Sequence, residues 1–264
     1  MARPRRQKRI LNCIPSRDTE RDWRIEHARA AGVAGDAAAR IPTRKDLRDT
    51  WWKVADQGST GSCVGWATAD SVLRWYLVKA GRLRKDELLA PRFVWMASKE
   101  TDPFTSQPTT FIESAGTSIK TALDVARKFG LVRDAVLPFK TGGLYSGDTQ
   151  TFYATAAQLK ISSYFNLSGK PVADLRNWLA AQGPIVTRLD VDKTWDDASL
   201  TKGNLDTYKA STARGGHAIA IVGYTPDRLI IRNSWGTSWG DKGFAYASDD
   251  YARKAFTEAY GVAL

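Results

Sequence analysis

Apolar residues recur at three- and four-residue steps past position 65: Trp66, Ala69, Leu73, Tyr76, Leu77 and Ala80. That spacing puts them on one face of a helix, and Gly81 is a natural stop. A second helix is predicted over 88–99, on Leu88, Leu89, Phe93, Val94 and Met96. A third, opened by Gly116-Thr117-Ser118, carries Ile119, Ala122, Leu123, Ala126 and Phe129 on one face and ends at Gly130. Between these two, 101–114 is rich in Pro and Thr and aperiodic, which predicts a loop. Pro138-Phe139 and Gly142-Gly143 close this helical half.

The period then changes. Residues 152–165 are strand-like in parts. Pro171 suits the first turn of a helix carrying Val172, Leu175 and Leu179, which Gly183-Pro184 ends. Ile185, Thr187, Leu189 and Val191 alternate as a half-buried strand does. Residues 217–224 and 228–233, on either side of a Thr-Pro-Asp turn, read as a hairpin, and 244–247 as a further strand. No internal repeat is visible. A helical half followed by a β half predicts an α+β fold of two lobes, and a cleft between lobes is a usual place for a site.

Residues 1–40 read as an attached segment, rich in Arg, Ala and Asp, with a short helix over 22–31 and a linker or weak helix over 28–39. Pro42 marks entry into the main domain, 41–264. With 264 residues, 43% of them hydrophobic and 25% charged, the composition is that of an ordinary globular chain, and ten tryptophans imply a substantial core. No stretch approaches the ~18 apolar residues of a membrane span. Residues 10–14 are too short for the apolar part of a signal peptide. The default expectation is the cytoplasm, or export by a route other than the Sec pathway. The formal net charge is +11, and Arg3, Arg5, Arg6, Lys8 and Arg9 crowd the first nine positions. We read this tail as a solvated terminus rather than a nucleic-acid or lipid contact. Two cysteines and two histidines leave too few ligands for a Cys/His zinc site, so no metal and no cofactor is expected.

Chemistry concentrates in three distant stretches. Cys63 follows a Gly/Ser-rich turn and precedes the first helix, where the helix dipole and unpaired N–H groups favour a thiolate. Alone, such a cysteine is more often a small buried hydrophobe. A thiol hydrolase also needs a base, a group to orient that base, and oxyanion donors. His27 lies in the weak N-terminal segment. His217 follows Gly215-Gly216 and starts an apolar strand, so it is the better base. The hairpin returns the chain to the same side and delivers Asn233, whose side chain can accept the imidazole N–H. Trp235 is placed to cover that bond.

Gln57-Gly58-x-x-Gly61-Ser62-Cys63, Gly216-His217-Ala218 with Val222-Gly223-Tyr224, and Asn233-Ser234-Trp235-Gly236-Thr237-x-Trp239-Gly240 together resemble the papain family of cysteine peptidases. Gly116 with Lys128-Phe129-Gly130-Leu131, Leu137-Pro138-Phe139 and Gly183-Pro184-Ile185-Val186 extend the resemblance over 41–264. It implies a papain-like two-lobe fold, with a helical left lobe and a β-barrel-like right lobe. It implies hydrolysis of peptide bonds in a peptide or protein substrate through an acyl-thioester on Cys63. His217 would be general base and then acid, Asn233 its orienter, and Gln57 an oxyanion donor beside the Cys63 N–H. Gly61 and Gly116 would lie against the substrate backbone. Gly216 would sit near the pocket for the side chain two before the scissile bond, and Trp235 would line the leaving-group side.

The chain departs from the family pattern at Val64, where an aromatic is usual, and at Thr60, where a half-cystine is frequent. It therefore resembles a bacterial-type member without disulfides, and Cys13 is expected to be a free, inert thiol. Two other readings share the site: an acyl-transfer or transamidation enzyme, and a non-catalytic interaction module. Side-chain preference depends on 185–216, where Trp195, Leu200, Leu205 and Tyr208 are candidates. For residues 1–40 the expectation is a segment lying along the domain, partly covering the cleft and inhibiting the chain's own activity; a tail packed on the back is the alternative.

Overall fold

The structure, a computed structural model, describes residues 9–36, 40–140, 143 and 145–264. Most of the basic tail, the end of the 28–39 stretch and Gly142 lie outside the described residues. The first predicted helix forms as one continuous rod of three runs, Cys63–Gly65, Trp66–Leu73 and Arg74–Lys79. Its middle run is wound as a π-helix: the Arg74 N–H reaches back five residues to the Ala69 carbonyl. Gly81 ends it with φ +70°. A single apolar face suggests a helix with one wet side. Instead, residues 61–77 are all buried, because the rod is wedged between the two lobes. On one side it meets the Pro91–Thr101 and Ile119–Lys128 helices. Gly65 permits the first of these approaches, since a Cβ there would strike the Pro91 carbonyl.

The other side of the rod meets the sheet. Strand β1 is Lys45–Asp46, β2 Ser163–Asn166, β3 Ile185–Val191, β4 Asn204–Leu205, β5 Gly215–Tyr224, β6 Arg228–Arg232, β7 Phe244–Ser248 and β8 Phe256–Ala263. The order is β2-β8-β3-β5-β6-β7-β4, with β1 added to β5. Neighbours are antiparallel except β4 and β7. Along β5 the two-residue period splits the side chains. Ala218, Ala220 and Val222 join the core of the helical lobe, whereas Ile219 and Ile221 enter a second core with Trp178, Trp195 and Tyr251; a bulge between Ile221 and Gly223 then breaks the period and brings Tyr224 into the second core too. Small side chains toward the rod let helix and sheet approach closely. β3 is buried on both faces from Ile185 to Leu189, not half-buried as its alternation suggests, because it is central in a sheet covered on both sides.

Two readings need correction. Much of 152–165 is helical: Thr149–Ala156 is a helix capped by the Asp148 carboxylate, which accepts the Thr151 N–H at 2.7 Å. Phe152 packs on Phe93 at 5.5 Å, and only Ser163–Asn166 is a strand. At the C-terminus, a Ser248-capped helix, Asp249–Ala255, and β8 carry no sequence expectation. Nor is the N-terminal segment a loose attachment. Its short helix, Ile25–Ala30, buries Ile25 and Ala28 completely in the second core. The Trp23 carbonyl accepts the Asn166 N–H at 2.7 Å, and Asp22 pairs with Lys120 at 2.6 Å. No helix among the described residues is long and apolar enough to cross a membrane.

A buried charge cluster joins the lobes below the cleft. Asp70, on the rod, accepts from Arg232 of β6 at 2.8 Å and from Arg74 at 3.3 Å. Arg232 also donates to the Lys53 carbonyl and to Ser71, and its guanidinium lies over Trp52 at 5.0 Å. The next residue after Arg232 is Asn233, so this cluster fixes the register between the rod and the strand end that forms the site.

Candidate active site

Cys63 is the first residue of the rod and has no exposure. Its own N–H, like those of Val64 and Gly65, has no partner within the helix, whose first bond runs from the Trp66 N–H to the Ser62 carbonyl. The turn before it is fixed locally. Gly58 takes φ +66°, the Asp56 carboxylate accepts the Gly58 N–H at 2.8 Å, and the Thr60 hydroxyl donates to the Gln57 carbonyl at 2.8 Å. His217, fully buried near the start of β5, lies beside it. Its Nε2 is 2.8 Å from Asn233 Oδ1, and that oxygen also accepts the Ser234 N–H at 2.8 Å. Two donors converging on one atom identify it as the amide oxygen, so Nε2 carries the proton. Nδ1 has no nitrogen or oxygen partner; it faces the Cys63 sulfur. Trp235 covers the ring at 4.8 Å, and Trp195 meets it edge-on at 5.7 Å. The bond from His217 to Asn233 is therefore shut away from water. His27 is elsewhere, accepting the Arg24 N–H through Nδ1.

Gln57 is fully buried against the same turn. Its Oε1 accepts the Ser234 hydroxyl at 2.7 Å, and Nε2 donates to the Thr60 carbonyl at 3.0 Å, leaving a second N–H. Ser234 thus sets which end of the amide faces the cysteine. Its position inside Asn-Ser-Trp-Gly is the sequence signal for it. The Cys63 thiol is pulled well below the ordinary thiol range, first by a hydrogen bond from the Cys13 thiol and then by the bond and charge of His217, which outweigh burial. Cys13 is driven the other way, by burial and by the neighbouring Cys63 sulfur.

Cys13 belongs to a strap, 9–16, that runs through the cleft. Arg9 pairs with Asp56, donates to the Gly58 and Trp235 carbonyls, and lies over the Trp235 ring at 5.7 Å. The Asn12 side chain donates to the Ser114 carbonyl. The Cys13 N–H donates to the Gly216 carbonyl at 3.0 Å, and the Ile14 N–H to the Thr117 carbonyl at 3.1 Å. Arg188 of β3 donates to the Cys13 carbonyl at 2.9 Å, and Glu258 accepts the Ser16 N–H at 2.8 Å. A Cβ on Gly61 or Gly116 would collide with Asn12, and one on Gly216 with the Cys13 carbonyl. The three glycines singled out from the sequence therefore all lie against the strap, Gly61 against the Asn12 side chain and Gly116 and Gly216 against strap backbone. Trp195 and Leu205 are buried, Tyr208 stacks edge-on against Tyr251 at 5.7 Å, and Leu200 is 78% exposed. Of these four, Trp195 reaches the site. Arg188 escapes sequence reading because it occupies the polar phase of an alternating strand.

A buried thiol at a helix start, facing an imidazole that an amide holds from behind, in a cleft between a helical and a β lobe, defines a two-lobed cysteine–histidine enzyme fold. Residues 41–260 match the model of the papain family cysteine proteases, and the chain belongs to that family. It is 26% identical over 220 residues to a cathepsin L-like proteinase of Fasciola hepatica, covering 81% of this chain and 62% of that protein. It is 26% identical over 253 residues to cathepsin F of Drosophila melanogaster, covering 84% and 36%. The chain thus spans less than two thirds of the length of either relative. Among solved structures, it resembles xylellain, a cysteine protease from Xylella fastidiosa, with TM-score 0.78, 21% identity and coverage of 100% and 99%. Procathepsin L2 from the larval midgut of Tenebrio molitor gives TM-score 0.72 at 21% identity, covering 97% and 78%. These likenesses establish the papain-like two-lobe α+β fold.

Proposed function

We propose that the chain is a cysteine peptidase that cleaves peptide bonds through an acyl-thioester on Cys63, and that the strap holds it inactive until displaced. The observation that supports the reading best is the placement of His217, with Nδ1 toward the cysteine sulfur and Nε2 held by Asn233. His217 holds the proton given up by Cys63, and the thiolate attacks the substrate carbonyl carbon. The carbonyl oxygen gains negative charge between the Cys63 N–H and the free N–H of Gln57, whose amide Ser234 keeps turned to the site. His217 gives its proton to the departing amine, leaving the acyl group on sulfur. Water, deprotonated by His217, then attacks the thioester carbonyl, and the thiolate leaves. Asn233 holds the ring in one tautomer throughout, and Trp235 with Trp195 keeps water from that bond.

Support for the inhibitory role comes from the substrate-side glycines, which the strap already occupies. Covalent labelling by an epoxysuccinyl inhibitor, read by intact mass, tests both statements. One adduct on Cys63 is expected, none on Cys63→Ala, and at least tenfold faster labelling for a chain starting at residue 19. That truncation stops short of Ile25, whose loss would open the second core. Equal rates for the two lengths refute the inhibitory strap, and no adduct on either refutes the nucleophile.

A further inference from the structure

Cys13 takes no part in the reaction proposed above, yet it is 2% exposed and belongs to the same core cluster as Cys63. Its backbone is fixed on both sides of the side chain. The N–H is bound to the Gly216 carbonyl, one residue before His217, and the carbonyl is bound to the Arg188 guanidinium. Arg188 is itself held by Thr257 at 2.6 Å and Asp190 at 3.1 Å, so the clamp on Cys13 is firm. The strap thereby lies against both walls of the cleft beside the nucleophile, Asn12 against Gly61 and Gly116 and Cys13 against Gly216, and between those walls each thiol shifts the other's protonation. Both are free thiols. Backbone contacts alone would hold a strap of almost any sequence here. A second sulfur on the strap that interacts with Cys63 adds a chemistry that holding the strap does not require.

We propose that Cys13 and Cys63 form a reversible disulfide, a redox latch that locks the strap covalently in the cleft; the inference rests on the reading of Cys63 as nucleophile and of the strap as inhibitor. The oxidant is a peroxide. The Cys63 thiolate attacks one peroxide oxygen; an S–O bond forms, the O–O bond breaks and hydroxide leaves, with the sulfur oxidised by two electrons to a sulfenic acid. Cys13 gives up its proton and attacks that sulfur; the S–S bond forms, the S–O bond breaks and hydroxide leaves with the proton as water. In sum, two thiols and one peroxide give one disulfide and two waters. A dithiol reductant reverses the bond by exchange through a mixed disulfide. With the strap backbone fixed on both sides of Cys13, the step to the ~2.05 Å of an S–S bond falls to side-chain rotation. The latch has a second effect. A resolving thiol on the spot intercepts the sulfenic acid before a further peroxide turns it into the irreversible sulfinic acid.

The test uses the full chain, reduced and then treated with hydrogen peroxide, thiols blocked, and mapped by mass after non-reducing digestion. The expected product joins the peptides containing positions 13 and 63 at two hydrogens below their summed mass. Epoxysuccinyl labelling of the oxidised chain falls at least tenfold below the reduced chain and returns with dithiothreitol. In Cys13→Ser the same peroxide treatment leaves Cys63 as sulfinic or sulfonic acid, and dithiothreitol restores no labelling. Sulfinic Cys63 beside a free Cys13 thiol in the wild-type chain overturns the latch, as does a disulfide found only between chains. The mass readout needs no activity. A crosslink in a chain whose reduced form cleaves no peptide therefore supports the latch while refuting the peptidase reading, and turnover without a crosslink overturns the latch alone.

Discussion

A thiol shut away from water ordinarily keeps its proton, because burial disfavours the charged form. Cys63 does the reverse: the Cys13 S–H and the His217 ring both stabilise its anion. The consequence for pH follows from the sign. A group whose folded value lies below its unfolded one is charged, and adds stability, above the unfolded value; that stability is lost as pH falls through the folded value. The ultraviolet thiolate absorbance of wild type minus Cys63→Ser should therefore persist well below the ~8.5 of a free cysteine. In Cys13→Ala, which removes the strongest of the stabilising contacts on the sulfur, the midpoint should move up. A midpoint at or above the ordinary thiol value in wild type would contradict this account. Cys63, His217 and Asn233 stand out in the sequence because chemistry-bearing types sit beside glycines and tryptophans at fixed offsets. Cys13 does not, because its meaning lies wholly in which side chain the fold brings opposite it.

At the scale of elements, the rod between the lobes carries more than apolar contacts. Asp70 neutralises two arginines, one from its own helix and one from β6, in the buried interior. Removing the shared carboxylate leaves two buried guanidinium groups, and breaking such a cluster costs about 3–5 kcal/mol. Asp70→Ala should lower the stability of the chain by that order in urea unfolding, and Asp70→Asn, which keeps the shape but not the charge, by nearly as much. A much smaller loss in Asp70→Asn than in Asp70→Ala would mean that packing rather than charge matters at Asp70. The rod was legible from its 3.6 period, and β5 and β6 from their apolar runs and turn. What the pattern could not convey is that the rod is covered on every side, since Thr68, Asp70, Ser71 and Arg74 read as a wet face. The helix over Thr149–Ala156 was missed for a related reason: Thr, Phe and Tyr favour strands, whereas the Asp148 cap and the contact of Phe152 with Phe93 decide for a helix.

For the molecule as a whole, the strap behaves as a ligand tied to its own receptor. Ile25 and Ala28 are set into the second core, while 9–16 crosses the cleft by main-chain bonds and a few side-chain anchors. The stretch between the two anchorages includes the exposed residues Arg17, Asp18, Glu20 and Arg21. A short tether gives an effective concentration of the order of millimolar. Since a tenfold effect of the tethered strap needs a Kd about tenfold below that concentration, a synthetic peptide of residues 9–16, offered to the chain that starts at residue 19, should half-inhibit epoxysuccinyl labelling at about 0.1 mM or below; no slowing at millimolar peptide would show that 9–16 does not carry the inhibition. Release then needs no unfolding of either lobe. One cut within 17–21 turns an intramolecular equilibrium into a bimolecular one, and dilution alone empties the cleft. A cell could thus set the moment of opening by where it exposes the chain to a second protease, and the freed fragment, once diluted, would have no means of return.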